Sequence, residues 1–123
     1  MTCRTCKREG FRHVTGVAAA PNRHAGVLPD AGEMKIKQVL AGRSGIILGG
    51  QMSGGPSVGE LINMVALAIQ KKVTVRELDM MQIATHLLLT SAPAVHPIIN
   101  AARGALSKLR ATTIQPASLE RAA

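Results

Sequence analysis

A chain of 123 residues is one domain's worth of sequence, and with 46% apolar and 18% charged residues it can bury a core of its own, which excludes wholesale disorder. Fifteen basic residues against seven acidic ones give a net charge of +8, but eight bases and three acids fall in residues 1–43 and seven and four in residues 44–123, so there is no basic arm; with Phe11 as the only aromatic residue, the stacking platforms of RNA and single-strand binders are missing too. No apolar run approaches the ~18–20 residues that span a bilayer, and MTCRTCKREG is no secretory leader, so a cytoplasmic protein with no membrane partner is expected.

Residues 1–10, closing on Gly10, read as the last turns of a short helix. Cys3-Arg4-Thr5-Cys6 lies within them. A bridge between these cysteines would close almost no loop, so they do not staple the fold. Their C-x-x-C spacing, with Arg4, Lys7 and Arg8 alongside, instead invites thiol-redox or zinc chemistry, although His13 and His24 are too far apart for a zinc-finger pair. Incidental terminal thiols are the blander alternative.

Residues 11–18 place Phe11, His13, Thr15 and Val17 on one face of an extended segment, and the irregular loop APNRHAGVLPDAG follows. In residues 34–41, Met34, Ile36, Gln38 and Leu40 alternate with Lys35, Lys37 and Val39, the period of a half-buried strand. Gly42 to Gly45 then separate this run from the apolar residues 46–52, which predicts a hairpin.

Ser57 and Glu60 stand at capping-box spacing ahead of LINMVALAIQKK, predicting a helix over 57–72. Leu61, Ile62, Met64, Val65, Leu67, Ala68 and Ile69 wrap too far around it for one sheet to cover, so part of this surface should meet a second copy, with Leu61, Met64, Val65 and Ala68 as the expected interface. Thr74 and Glu77 repeat the capping spacing and begin a second, short helix. Residues 82–93 are apolar without a clear period and fit either a strand or a buried connector. From 94 to 109, apolar residues at three- and four-residue intervals predict a last helix, and residues 111–123 read as a loose tail.

Local chemistry is sparse. The turn GGQMSGGPS between strand and helix has neither phosphate-loop spacing nor a lysine, and Pro56 removes a donor, so its glycines serve a tight reversal. His86 and His96 flank TSAP, yet no acid lies between Asp79 and Glu120 to orient either one as a base.

The order of motifs is more specific than any one of them. Lys37, the hairpin ending Leu48-Gly49, Gly54, Gly59-Glu60-Leu61-Ile62, Ala66, Ala68-Ile69, Thr74, Leu78 and His86 together resemble the C-terminal dimerisation domain of FAD-dependent pyridine nucleotide-disulfide oxidoreductases, over roughly residues 7–105. The coenzyme A-disulfide reductase and NADH oxidase branch is the most similar. The resemblance implies an α+β domain, a small antiparallel sheet with flanking helices, over residues 11–110, with 1–10 the remnant of a preceding helix.

It also implies a homodimer that completes the partner subunit's site without being catalytic alone. FAD and NAD(P)H are implied for the parent enzyme only, bound by its own domains or by a separate chain, and a truncated gene or excised fragment would fit such a start. His86 falls at the family's histidine position, though Leu87 follows where proline is usual in the glutathione and lipoamide reductase branches, and no orienting glutamate comes after it. His96 falls where the NADH oxidase branch suggests a tyrosine. The expectation from a different class is a stand-alone basic module that binds an anionic ligand or nucleic acid.

Overall fold

The computed structural model describes residues 1–114, with side chains to residue 112. Three strands, β1 (His13–Pro21), β2 (Glu33–Ala41) and β3 (Ile47–Ser53), form one antiparallel meander in the order β1-β2-β3. β1 pairs with β2 from His13 opposite Ala41 to Pro21 opposite Glu33, and β2 pairs with β3 from Lys35 opposite Ser53 to Leu40 opposite Ile47, with a register shift at Val39/Leu40. The hairpin turns where the glycines predict it, on Gly45 at φ 68°.

Period-two alternation decides which face of β2 goes inside. Met34, Ile36, Gln38 and Leu40 are all buried while Lys35 and Lys37 are exposed. On β1 the buried side consists of Val14, Gly16, Ala18 and Ala20, and the opposite side leaves Phe11 and Val17 exposed. Small residues are needed there because the last helix, α4 (Pro97–Ile114), lies directly on β1. A Cβ at Gly16 would overlap the Ala101 carbonyl. Ala101, Ala102 and Ala105 form the matching flat side of α4, and Gln38 Nε2 donates to the Ile98 carbonyl across this seam at 3.1 Å.

The remaining helices are α1 (Cys3–Arg8), α2 (Val58–Gln70) and α3 (Val75–Asp79). α2 packs on β3 and sends Val65 and Ala68 into the core with Ile36, Leu40, Ile47, Leu78 and Ile98. α3 packs on α4, where Arg103 Nε meets Asp79 Oδ1 at 2.7 Å. Of the two capping boxes predicted, the one at Thr74 is formed: Glu77 Oε2 accepts from Thr74 N at 2.7 Å while Thr74 Oγ1 accepts from Glu77 N at 3.4 Å. The one at Ser57 is not. Residues 55–59 already turn through the Val58 N to Gly55 O and Gly59 N to Pro56 O bonds, so Ser57 is helical rather than extended, and its hydroxyl donates to Met34 Sδ at 3.3 Å.

Residues 82–92 are neither strand nor buried connector. They run as a loop that is exposed over residues 84–89, turns at His86 to Thr90 and buries Ser91 near its end, followed by a 3-10 turn at Pro93–Val95. α4 continues to Ile114, so residues 111–114 are helical, and residues 115–123 of the expected tail lie outside the described residues. No helix among the described residues is long and apolar enough to cross a membrane.

Candidate interface groove and the flanking histidines

A groove of about 580 Å³ opens between α2 and the loop that leads to α4. Leu61, Met64, Leu88 and Leu89 give it apolar walls; Asn22, Arg23, Glu60, Ser91 and His96 give it polar groups. Its rim is assembled from segments far apart in sequence. His24 N donates to the Leu87 carbonyl at 3.2 Å, the Ser91 hydroxyl bonds the Pro21 carbonyl, and Asn22 Oδ1 accepts from Gly32 N at 2.7 Å. The first two bonds tie the end of β1 and the segment after it to the loop over residues 86–91, and the third closes the β1–β2 loop.

The two candidate histidines have different surroundings. His96 is 2% exposed and lines the groove. Its Nδ1 is buried without a hydrogen-bond partner, and burial pushes its pKa below the ordinary 6.5. His86 is exposed, lines none of the groove, and is occupied with its own turn: its Nδ1 accepts from Leu88 N at 3.3 Å, and its backbone N donates to Thr90 Oγ1 at 2.9 Å. Neither imidazole pairs with a carboxylate among the described residues.

Of the residues expected at an interface, Val65 and Ala68 are consumed by the chain's own core, whereas Leu61 and Met64 line the groove and Met64 stays partly exposed. Leu67 and the run Leu87-Leu88-Leu89 are exposed as well. Sequence reasoning missed Asn22, Arg23 and Ser91 as groove residues. No local pattern marks them, since only the crossing of β1 and the 86–91 loop brings them together.

The space a Cβ would occupy at Gly54 is filled by the Glu33 carbonyl and Met34, and that at Gly55 by the Asn22 amide, so both glycines serve close packing. A second cleft, of about 410 Å³, gathers Arg43, Arg76 and Arg110 over Val75, Leu106 and Leu109. Among the described residues no group of three or more His, Cys, Asp or Glu side chains is placed to hold a metal.

Among solved structures, the chain is similar to the NAD-dependent persulfide reductase of A. fulgidus, with a TM-score of 0.77 and 26% identity over 91% of this chain and 20% of that one. It also shares its fold with reduced CoADR-RHD of Bacillus anthracis (TM-score 0.79, 24% identity, 90% of this chain and 19% of that one). The water-forming NADH oxidase of Lactobacillus brevis shares it too (TM-score 0.80, 18% identity, 92% and 24%). The chain therefore spans about a fifth to a quarter of the length of these proteins. No curated protein sequence matches it. Residues 1–96 match the family described as pyridine nucleotide-disulphide oxidoreductase, dimerisation domain, and it is to this family that the chain belongs.

Proposed function

We propose that the chain is the homodimerisation module of a flavin-dependent pyridine nucleotide-disulfide oxidoreductase, pairing two subunits and completing the partner's active site. The observation that carries this reading is that Met64, Leu88 and Leu89 of the groove, together with Leu67 and Leu87, stay exposed although none of them belongs to the chain's own core cluster. Flavin and nicotinamide binding belong to the other domains of the parent enzyme or to a separate chain, because the glycine turn here is filled by protein atoms. The loop carrying His86 and the groove lined by His96 are the parts of the module that face the partner's site.

The test uses an enzyme assembled from this domain and matching flavin-binding domains. His86→Ala should lower turnover and leave the thermal midpoint nearly unchanged, since the side chain is exposed. Full turnover together with a large loss of stability refutes the assignment. The three-arginine cleft supports a second reading, a site for an anionic ligand. Salt separates the two, because phosphate binding weakens steeply with ionic strength whereas an apolar dimer survives it.

A further inference from the structure

Cys3 and Cys6 line none of the groove, yet the fold arranges them in a specific way. Both lie on α1, one turn apart, so their side chains share one side of the helix. Helix geometry sets their Cα atoms about 5 Å apart, inside the roughly 4.4–6.8 Å that a disulfide needs. Their access to solvent differs: Cys6 is 0% exposed, and Cys3 is partly exposed. The turn that holds them is pinned by Thr2, whose Oγ1 accepts from Thr5 N at 3.2 Å and whose carbonyl accepts from Cys6 N at 2.9 Å. The Cys6 carbonyl in turn accepts from Phe11 N at 2.8 Å, fixing the exit of the helix. Both sulfurs are free thiols, and no third ligand among the described residues joins them in a metal site.

We propose that Cys3 and Cys6 form a dithiol couple that reduces low-molecular-weight disulfides, with Cys3 as the attacking thiol and Cys6 as the resolving one. The Cys3 thiolate attacks one sulfur of the disulfide RS–SR. The Cys3–SR bond forms, the S–S bond breaks, and the first RS⁻ leaves and takes up the proton Cys3 gave up. Cys6, as thiolate, then attacks the Cys3 sulfur, forming the Cys3–Cys6 bond and expelling the second RS⁻, which takes up the proton from Cys6. Two protein thiols are oxidised by two electrons and one disulfide is reduced to two RSH, so the exchange balances with no further reactant. Arg4 and Lys7 lie on the same short helix with no ion-pair partner among the described residues, and they favour a disulfide that bears carboxylates. Unequal exposure sets the order of events: a disulfide in solution can reach Cys3 first, and Cys6 needs only to reach Cys3. The chemistry does not depend on the dimer and proceeds equally in a monomer.

The experiment treats the reduced full chain with glutathione disulfide, then counts free thiols under denaturing conditions and maps the products by mass spectrometry. Both thiols should disappear together, with the loss of two hydrogens, an intramolecular Cys3–Cys6 link and no lasting glutathione adduct. Cys6→Ala, which keeps the buried site apolar, should trap one glutathione on Cys3. Cys3→Ser should react about tenfold or more slowly, because only a buried thiol remains. Two stable adducts on the parent chain, links between chains, or two untouched thiols would overturn the proposal, and the parent-chain result stands even if a variant fails to fold.

Discussion

Replacing Met64 by lysine places a charge where two copies of the domain should meet. Met64 and Leu67 lie three residues apart on the outer side of α2 and remain 38% and 54% exposed in the single chain. Burying such a side chain completely contributes about 1.5–3 kcal/mol, so the part still uncovered is worth roughly 1 kcal/mol for each residue, and two-fold symmetry doubles it. The resulting ~4 kcal/mol only matches the lower end of the ~4 kcal/mol or more of rigid-body freedom lost on association, with nothing left to hold the pair. A stable pair must therefore also cover Leu87, Leu88 and Leu89, which are about half exposed.

In Met64→Lys, two ammonium groups enter the same seam; Glu60, one turn back on α2, can meet each only in part, and the net cost of covering them is roughly 3 kcal/mol, or more than about a hundredfold in Kd. Sedimentation equilibrium across a range of concentrations should give a dimer for the parent and a monomer for the variant. The thermal midpoint of the variant, measured at a dilution where both are monomeric, should hardly move because Met64 lies outside the core cluster. A variant that dimerises like its parent, or a parent that stays monomeric at tens of micromolar, refutes the reasoning.

Gly16→Ala drives a methyl into the Ala101 carbonyl and should cost about 3 kcal/mol, read as a lower urea midpoint at constant slope; a variant as stable as the parent would mean that α4 shifts freely on the sheet. Burial holds His96 below its ordinary pKa of 6.5, so below that pH the unfolded chain takes up a proton that the folded one refuses, and stability falls as pH drops toward the folded pKa. His96→Gln should flatten this limb of the urea-midpoint profile above the carboxylate range, and an unchanged profile would place the pH dependence elsewhere. The purified chain should be colourless and without NADH oxidation, and protein that stays yellow after desalting would contradict the assignment of flavin to other domains.

Much of the architecture was legible from local chemistry. Alternation in residues 34–38, the Gly42 to Gly45 break and the Thr74/Glu77 pair each act within a few residues, and each appears as read; Val39, expected on the side of Lys35 and Lys37, is instead buried, at the register shift between Val39 and Leu40. Ser57/Glu60 has the same spacing as Thr74/Glu77 but no cap, because the preceding turn had already set the backbone of Ser57. The run Leu87 to Leu89 misled in another way. Its apolar composition suggested burial, whereas the sheet ends at β1 and β3 and offers no strand partner for it, leaving three exposed leucines.

By itself, the sequence determined the elements, their order and the family, since periodicity, caps and glycine breaks are properties of neighbours in the chain and the motif order is carried in the letters. Tertiary structure alone decided which side of α2 is spent on the core, where Val65 and Ala68 went inward while Met64 and Leu67 stayed out. It likewise separated two histidines ten residues apart, burying His96 in the groove while His86 stays exposed, and it assembled that groove from Asn22, Arg23, Ser91 and α2. The physical reason is that burial is set by what packs on a residue from elsewhere in the chain. An apolar stripe says that a surface must be covered, and only the three-dimensional packing says which part the chain covers itself and which part remains for a partner.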